Sequence, residues 1–146
     1  MNLIERSYSG KIIRPKPHLV VNEEKDLIII CTSWGAPEHA EKAAEEIQKY
    51  VHSAKADVEV TSPFEFLTCL TDEVNYLRTS LLIVNDYLYR SENKTEYYAG
   101  VEALVLFKRG RQLAWAQVGG PSILIQRSRG SVQPLSVSGD LASEKQ

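Results

Sequence analysis

The apolar positions of this chain change period twice. Residues 27 to 31 read Leu-Ile-Ile-Ile-Cys, apolar at every position, as a strand covered on both faces must be. Ala40, Ala43, Ala44, Ile47, Tyr50, Val51 and Ala54 then recur at three- and four-residue steps, the single stripe of an amphipathic helix. Pro37 suits the first turn of that helix, where a missing N–H costs little, and Glu38 and Glu41 suit its positive end. A second helical stripe follows: Leu67, Leu70, Val74, Leu77, Leu81, Val84 and Leu88. Ser62, Pro63 and Glu65 are placed to open it, with a cap worth about 1 kcal/mol. Unbroken to Tyr89, it would span roughly 40 Å; the polar run Thr71-Asp72-Glu73 offers a break instead.

From residue 101 the period falls to two. Residues 101–108, 111–118, 122–127 and 131–136 read as four strands, separated by turns at Gly110, Gly119-Gly120-Pro121 and Gly130. Residues 3–8 and 18–21 read as shorter strands. Val105 and Phe107 share one side of their strand and Leu104 and Leu106 the other, so both faces of that sheet need cover. Helices on one face and a second sheet on the other predict an α+β fold, a four-layer α/β/β/α sandwich of two antiparallel sheets flanked by helices. One domain over residues 1–137 and a polar, frayed tail over 138–146 complete the expected organisation.

The length of 146 residues is that of one domain with a substantial core. The hydrophobic share of 43% and charged share of 25% are ordinary for a soluble protein. A net charge of −2 exerts no global pull on nucleic acid or anionic membrane. Cys31 and Cys69 read as reduced core residues, and His18, His39 and His52 have no cysteine at metal-ligand spacing. His39 reads as an exposed polar residue. The N-terminal residues lack a signal-peptide core and no apolar run reaches membrane length. The expected location is cytoplasmic.

The stretch from Leu27 through the Thr32-Ser33-Trp34-Gly35 loop into the first helix, and the run from Gly100 to Ser136, resemble the metal-dependent serine/threonine protein phosphatases of type 2C. The first resembles that family's strand, D-G-x-G-G loop and helix. The second resembles its G-x-T-A start, paired apolar strands, G-D-S-R turn and closing strands. No single motif is intact; order, spacing and pattern carry the resemblance. It implies two Mg²⁺ or Mn²⁺ ions held by carboxylates, with a water between them attacking a phosphate. It also implies a domain about 100 residues longer, whose C-terminal part is missing here.

The departures fall on the metal ligands. The family's loop Asp corresponds to Thr32, its upstream acidic pair to the region of Pro15, Lys16 and Pro17, and the Asp of G-D-S to Gly120. A hydroxyl without charged company does not hold Mg²⁺. The resemblance therefore implies a catalytically inactive pseudophosphatase, with no metal and no cofactor, acting as a regulatory or scaffold module. Its partner is a protein or a second copy in a dimer, with Leu124 or Ile125 near the contact. Two rivals stand beside this reading: an active phosphatase with displaced ligands drawn from Asp26, Glu38, Asp140 and Glu144, or an unrelated sandwich-fold binding domain.

Three local features complete the expectations. The strands after Gly100 alternate in direction, which would gather Lys108, Arg109, Arg111, Arg127 and Arg129 at one sheet end as a candidate partner-binding patch; solvated turn tips are the plainer reading. Trp34 is expected to plug the space over a sheet end. The helix N-terminus near residues 35–39 is expected to offer N–H groups to an anion.

Overall fold

A computed structural model of the chain describes residues 2–6, 16–56, 62–96, 99–128 and 130–136. Strands β1 (His18–Val21) and β2 (Leu27–Trp34) form an antiparallel hairpin. Asn22 builds its turn. Its Oδ1 accepts from the backbone N–H of Asp26 (3.0 Å) and of Leu27 (2.9 Å), while Lys25 takes a left-handed φ of 54°. Helix α1 (Glu38–Ala56) follows, then helix α2 (Asp72–Tyr87), which runs on into a π-helical turn at Leu88–Glu92. Strands β3 (Gly100–Arg109) and β4 (Gln112–Val118) meet at Gly110, whose φ of 60° the tight turn requires. Strands β5 (Leu124–Gln126) and β6 (Val132–Pro134) end the described chain.

Two antiparallel sheets result. The larger has the order β1-β2-β3-β4, and the smaller is the β5-β6 pair. With the two helices they make the α+β arrangement that the hydrophobic pattern predicts. In the larger sheet Ile29 stands opposite Val105, and Val105 opposite Ala116. Alternation then gives the face of Leu27, Ile29, Cys31, Ala103, Val105 and Phe107 to the helices. These side chains pack on Ala40, Ala43, Ala44, Ile47 and Val51 of α1, on Leu77 and Val84 of α2 and on Leu88 of the π-helical turn. The alanines let α1 approach closely, and Ile29, Ile47 and Val105 are wholly buried. The opposite face carries Ile28, Leu104, Leu106 and Trp115; the first two are buried and Trp115 is 36% exposed.

Several local expectations are corrected. Residues 3–6 form no strand, and 7–8 lie outside the described residues, as does the 138–146 tail. The long helix does not begin at Ser62. That hydroxyl closes a local turn with Phe64, accepting its N–H at 3.2 Å, so the capping signal is spent on a loop. The break at Thr71-Asp72-Glu73 is the true start: Thr71 Oγ1 accepts from Val74 N–H at 3.4 Å. The buried Asn75 side chain ties down the loop before it, bonding Leu67 N–H (2.9 Å) and the carbonyls of Leu67, Leu70 and Thr71. Cys69 consequently lies exposed in this loop rather than in the core, while Cys31 is buried as expected. Strand β5 is not hydrogen-bonded to β4, because the chain leaves the larger sheet at Gly119–Ile123.

Candidate functional site

The strand end where β2 meets α1 holds the residues that the sequence singles out. β2 does not stop at Cys31 but continues to Trp34. Thr32 is opposite Glu102, Ser33 opposite Val101 and Trp34 opposite Gly100. Alternation turns Ser33 toward the helices, where it is 2% exposed, and leaves Trp34 on the outer side, 57% exposed. Trp34 therefore does not plug the sheet end. Gly35, with φ of 100°, makes the sharp turn into α1, a conformation that other L-residues rarely adopt.

The helix end is already engaged. The N–H groups of His39 and Ala40 bond the carbonyls of Ala36 and Pro37, each at 3.2 Å, and Pro37 has no N–H to offer. Glu38 and Glu41 stand in the first turn and line a cleft of about 540 Å³ with Glu5, Lys16 and His18. Within 35–39 the His39 N–H is thus engaged, and three carboxylates line the cleft beside it, a setting that disfavours an anion. His39 is likewise not exposed. It is buried to 4% on the core side of α1, and its Nδ1 has no hydrogen-bond partner.

Lys16 and Pro17, where the resemblance puts the upstream acidic pair, lie at this cleft; Pro15 is outside the described residues. Thr32 and Gly120 stand at the other two acidic positions. The sequence reading missed one residue here. Glu102 follows Gly100 by two, where the family pattern G-x-T-A has Thr, and it lies across the strand ladder from Gly119. A methyl group added to Gly119, whose φ is 81°, would fall 2.7 Å from the Glu102 Cγ; one added to Gly120 would fall 3.4 Å from both carboxylate oxygens. The Glu102 side chain thus fills the space over the glycine pair. No local pattern in the sequence marks it, because its approach to Gly119 and Gly120 depends on the register of β3 against β4.

This donor set does not fit a two-metal centre. Hard divalent ions take several charged oxygen ligands each, and here one carboxylate stands beside a hydroxyl and two glycines. Among the described residues no three His, Cys, Asp or Glu side chains group closely enough to hold one ion.

The basic turn lies at the opposite end of the sheet. Arg109 Nη1 is 2.9 Å from Glu73 Oε1, and the Lys108 N–H donates to the Asp26 carbonyl at 2.7 Å. Lys55 pairs with Asp26 at 2.7 Å and also contacts Glu24. Burial works against the Asp26 carboxylate, but the hydrogen bonds from Lys55 and Asn22 outweigh it and hold its pKa below the ordinary 3.8. Glu73 sits below its ordinary 4.5; its own backbone N–H contributes most and Arg109 adds to it, against the opposing effect of burial. Lys108, Arg109 and Arg111 flank one turn. Arg127 is exposed just after β5, in the connection to β6, and Arg129 lies outside the described residues.

Among the described residues no helix is long and apolar enough to cross a membrane. No family model matches the chain, and no curated protein does. Solved structures resemble it, among them two of serine/threonine phosphatases. One is the serine/threonine phosphatase PstP/Ppp of Mycobacterium tuberculosis, at a TM-score of 0.55 and 14% identity, over 95% of this chain and 55% of that one. The other is the catalytic domain of serine/threonine protein phosphatase PstP in complex with two manganese ions, at a TM-score of 0.59 and 12% identity, over 95% of this chain and 56% of that one. The chain thus spans a little over half the length of these phosphatases, and over that length it shares the fold of a type-2C-like serine/threonine phosphatase catalytic domain.

Proposed function

We propose that the chain is a catalytically inactive phosphatase-like domain that works by binding protein, as a regulatory or scaffold module in the cytoplasm. The observation that carries this reading is the strand end itself. Thr32 and Gly120 occupy two of the acidic positions, and Glu102, the carboxylate that reaches the spot, lies against Gly119 and Gly120. One carboxylate does not fix two divalent ions. The displaced-ligand rival is poorly supplied among the described residues: Asp26 is held by Lys55 and Asn22 at the far end of the sheet, and Glu38, which lines a cleft with Glu5, Glu41 and His18, belongs to no set of three His, Cys, Asp or Glu side chains close enough to hold an ion.

The binding half of the reading rests on exposed apolar strands. β4 is the edge of the larger sheet, with Leu113 47% and Val118 48% exposed; the β5-β6 pair presents Leu124 at 63% and Val132 at 54%. Unpaired edges of this composition invite another chain. A second copy pairing there makes a homodimer with Leu124 or Ile125 at the contact.

Two measurements test the two halves. Titration calorimetry with Mn²⁺, alongside hydrolysis of p-nitrophenyl phosphate, is expected to show neither saturable micromolar binding nor turnover, and Thr32→Asp alone is expected to restore neither. Metal-dependent hydrolysis by the unaltered chain would overturn the inactive reading. Sedimentation at micromolar concentration is expected to show a dimer that Leu124→Lys dissociates. A clean monomer would leave Lys108, Arg109, Arg111 and Arg127 as the binding candidates.

A further inference from the structure

An open groove of about 710 Å³ runs between α2 and the β4 edge of the sheet. It lies on the helix-facing side of β3, where Val101 and Ala103 point, and Glu102 points the other way. It therefore lies on the opposite face of the sheet from the Glu102 side chain. Its helical wall is one face of α2, with Arg78, Leu81, Leu82 and Asn85, continued by Leu88 of the π-helical turn. Its sheet wall is shallow, built from Gly100, Ala103, Ala116 and Val118. Small residues facing leucines leave the space that a larger pair would fill. The π-helical turn that holds Leu88 and Tyr89 closes one end, and such turns often accompany functional sites.

Among the described residues the lining carries one charged side chain. Arg78 stands at the other end of the groove, half-buried, with Nη1 donating to the Glu65 carbonyl at 3.1 Å. That bond steadies the guanidinium through one of its five N–H groups. From Arg78 to Tyr89 the helix rises about 16 Å. An apolar trough of ligand-sized volume with a single cation at one end is complementary to a molecule with an apolar tail and one carboxylate. A planar guanidinium also matches a carboxylate better than an ammonium would.

We propose that this groove binds a monocarboxylate of the fatty-acid class, its head group on Arg78 and its chain lying along α2 toward the π-helical turn. The proposal stands whether or not the strand end is inactive.

The test is titration calorimetry of the full chain with octanoate, decanoate and dodecanoate below their micelle concentrations, with dodecanol as the uncharged control. One saturable site per chain is expected, tightening about fourfold per methylene. Arg78→Gln is expected to weaken dodecanoate about tenfold or more and to leave dodecanol unchanged. Ala116→Leu, checked for folding by circular dichroism, is expected to abolish binding of both. Should Ala116→Leu not fold, the comparison of dodecanoate with dodecanol on Arg78→Gln decides alone. No saturable heat, or dodecanol binding as tightly as dodecanoate, would overturn the proposal. So would a dimer that Ala116→Leu dissociates in a chain that takes up no dodecanoate, which would assign the groove to a second copy.

Discussion

The two cysteines show how one residue type diverges with its surroundings. Cys31 is wholly buried on the helix-facing side of β2, and desolvation pushes its thiol up to about 12. Thiolate is the reacting form, so this sulfur is inert in the native state. Cys69 is exposed in the loop held by Asn75. Titration with a chromogenic disulfide at neutral pH is expected to release one thiol equivalent quickly and the second only on unfolding. Cys69→Ser is expected to remove the fast phase. A second residue-scale prediction concerns Gly119. Its φ of 81° and the Glu102 Cγ that an added methyl would meet at 2.7 Å make alanine unwelcome twice over. Gly119→Ala is expected to cost about 2 kcal/mol in urea unfolding, and Glu102→Ala to return part of that loss but not the backbone strain. Equal stability of Gly119→Ala and the unaltered chain would contradict the geometry.

At the scale of elements, the start of α2 separates a signal from its use. Ser62-Pro63-Phe64-Glu65 has the sequence of a helix opening, yet its hydroxyl serves a two-residue turn. Thr71, without a proline after it, caps the real helix. The choice is made by Asn75, which is 2% exposed and bonds four backbone groups of residues 67–71. A helix through that segment would leave this buried amide without those partners, a cost of about 1–3 kcal/mol. Thr71→Ala is therefore expected to lower stability by about 1 kcal/mol and to fray α2 in amide exchange. Ser62→Ala is expected to leave the protection of α2 unchanged. Loss of α2 protection in Ser62→Ala would place the helix start upstream after all.

For the whole molecule, acid sensitivity concentrates at the sheet end opposite the junction of β2 and α1. Asp26 and Glu73 have folded pKa values below their ordinary 3.8 and 4.5. A depressed carboxylate adds stability above its unfolded pKa and loses it as pH falls through the folded one. The urea midpoint is thus expected to decline from about pH 5 downward, and less steeply in Asp26→Asn. Lys55, raised above 10.5 by its bonds to Asp26 and Glu24, works in the other direction: its contribution is present below 10.5 and lost as pH rises through the folded value. A midpoint that does not change between about pH 5 and about pH 3 would show that these pairs are too well solvated to matter. The same ion pairs bind Arg109 and Lys55 into the fold, so among the described residues Lys108, Arg111 and Arg127 are the exposed cations of the basic turns outside those pairs.

The order of strands and helices, the faces of β2 and β3 and the apolar stripe of α1 were legible in the sequence. The reason is that periodicity records which side of an element meets the core, and Ile29, Ile47 and Val105 are where that record is strongest. The absence of carboxylates at Thr32 and Gly120 was legible too, since it needs identity alone. What the tertiary structure decided lies between elements. Glu102 reaches Gly119 and Gly120 only because β3 and β4 pair in one register. His39 is buried rather than exposed because the phase of α1 turns it inward. The groove beside Arg78 exists because α2 stands off small residues on a neighbouring sheet edge. Each of these depends on distances between residues far apart in the chain, and a local pattern of polar and apolar positions holds no information about them.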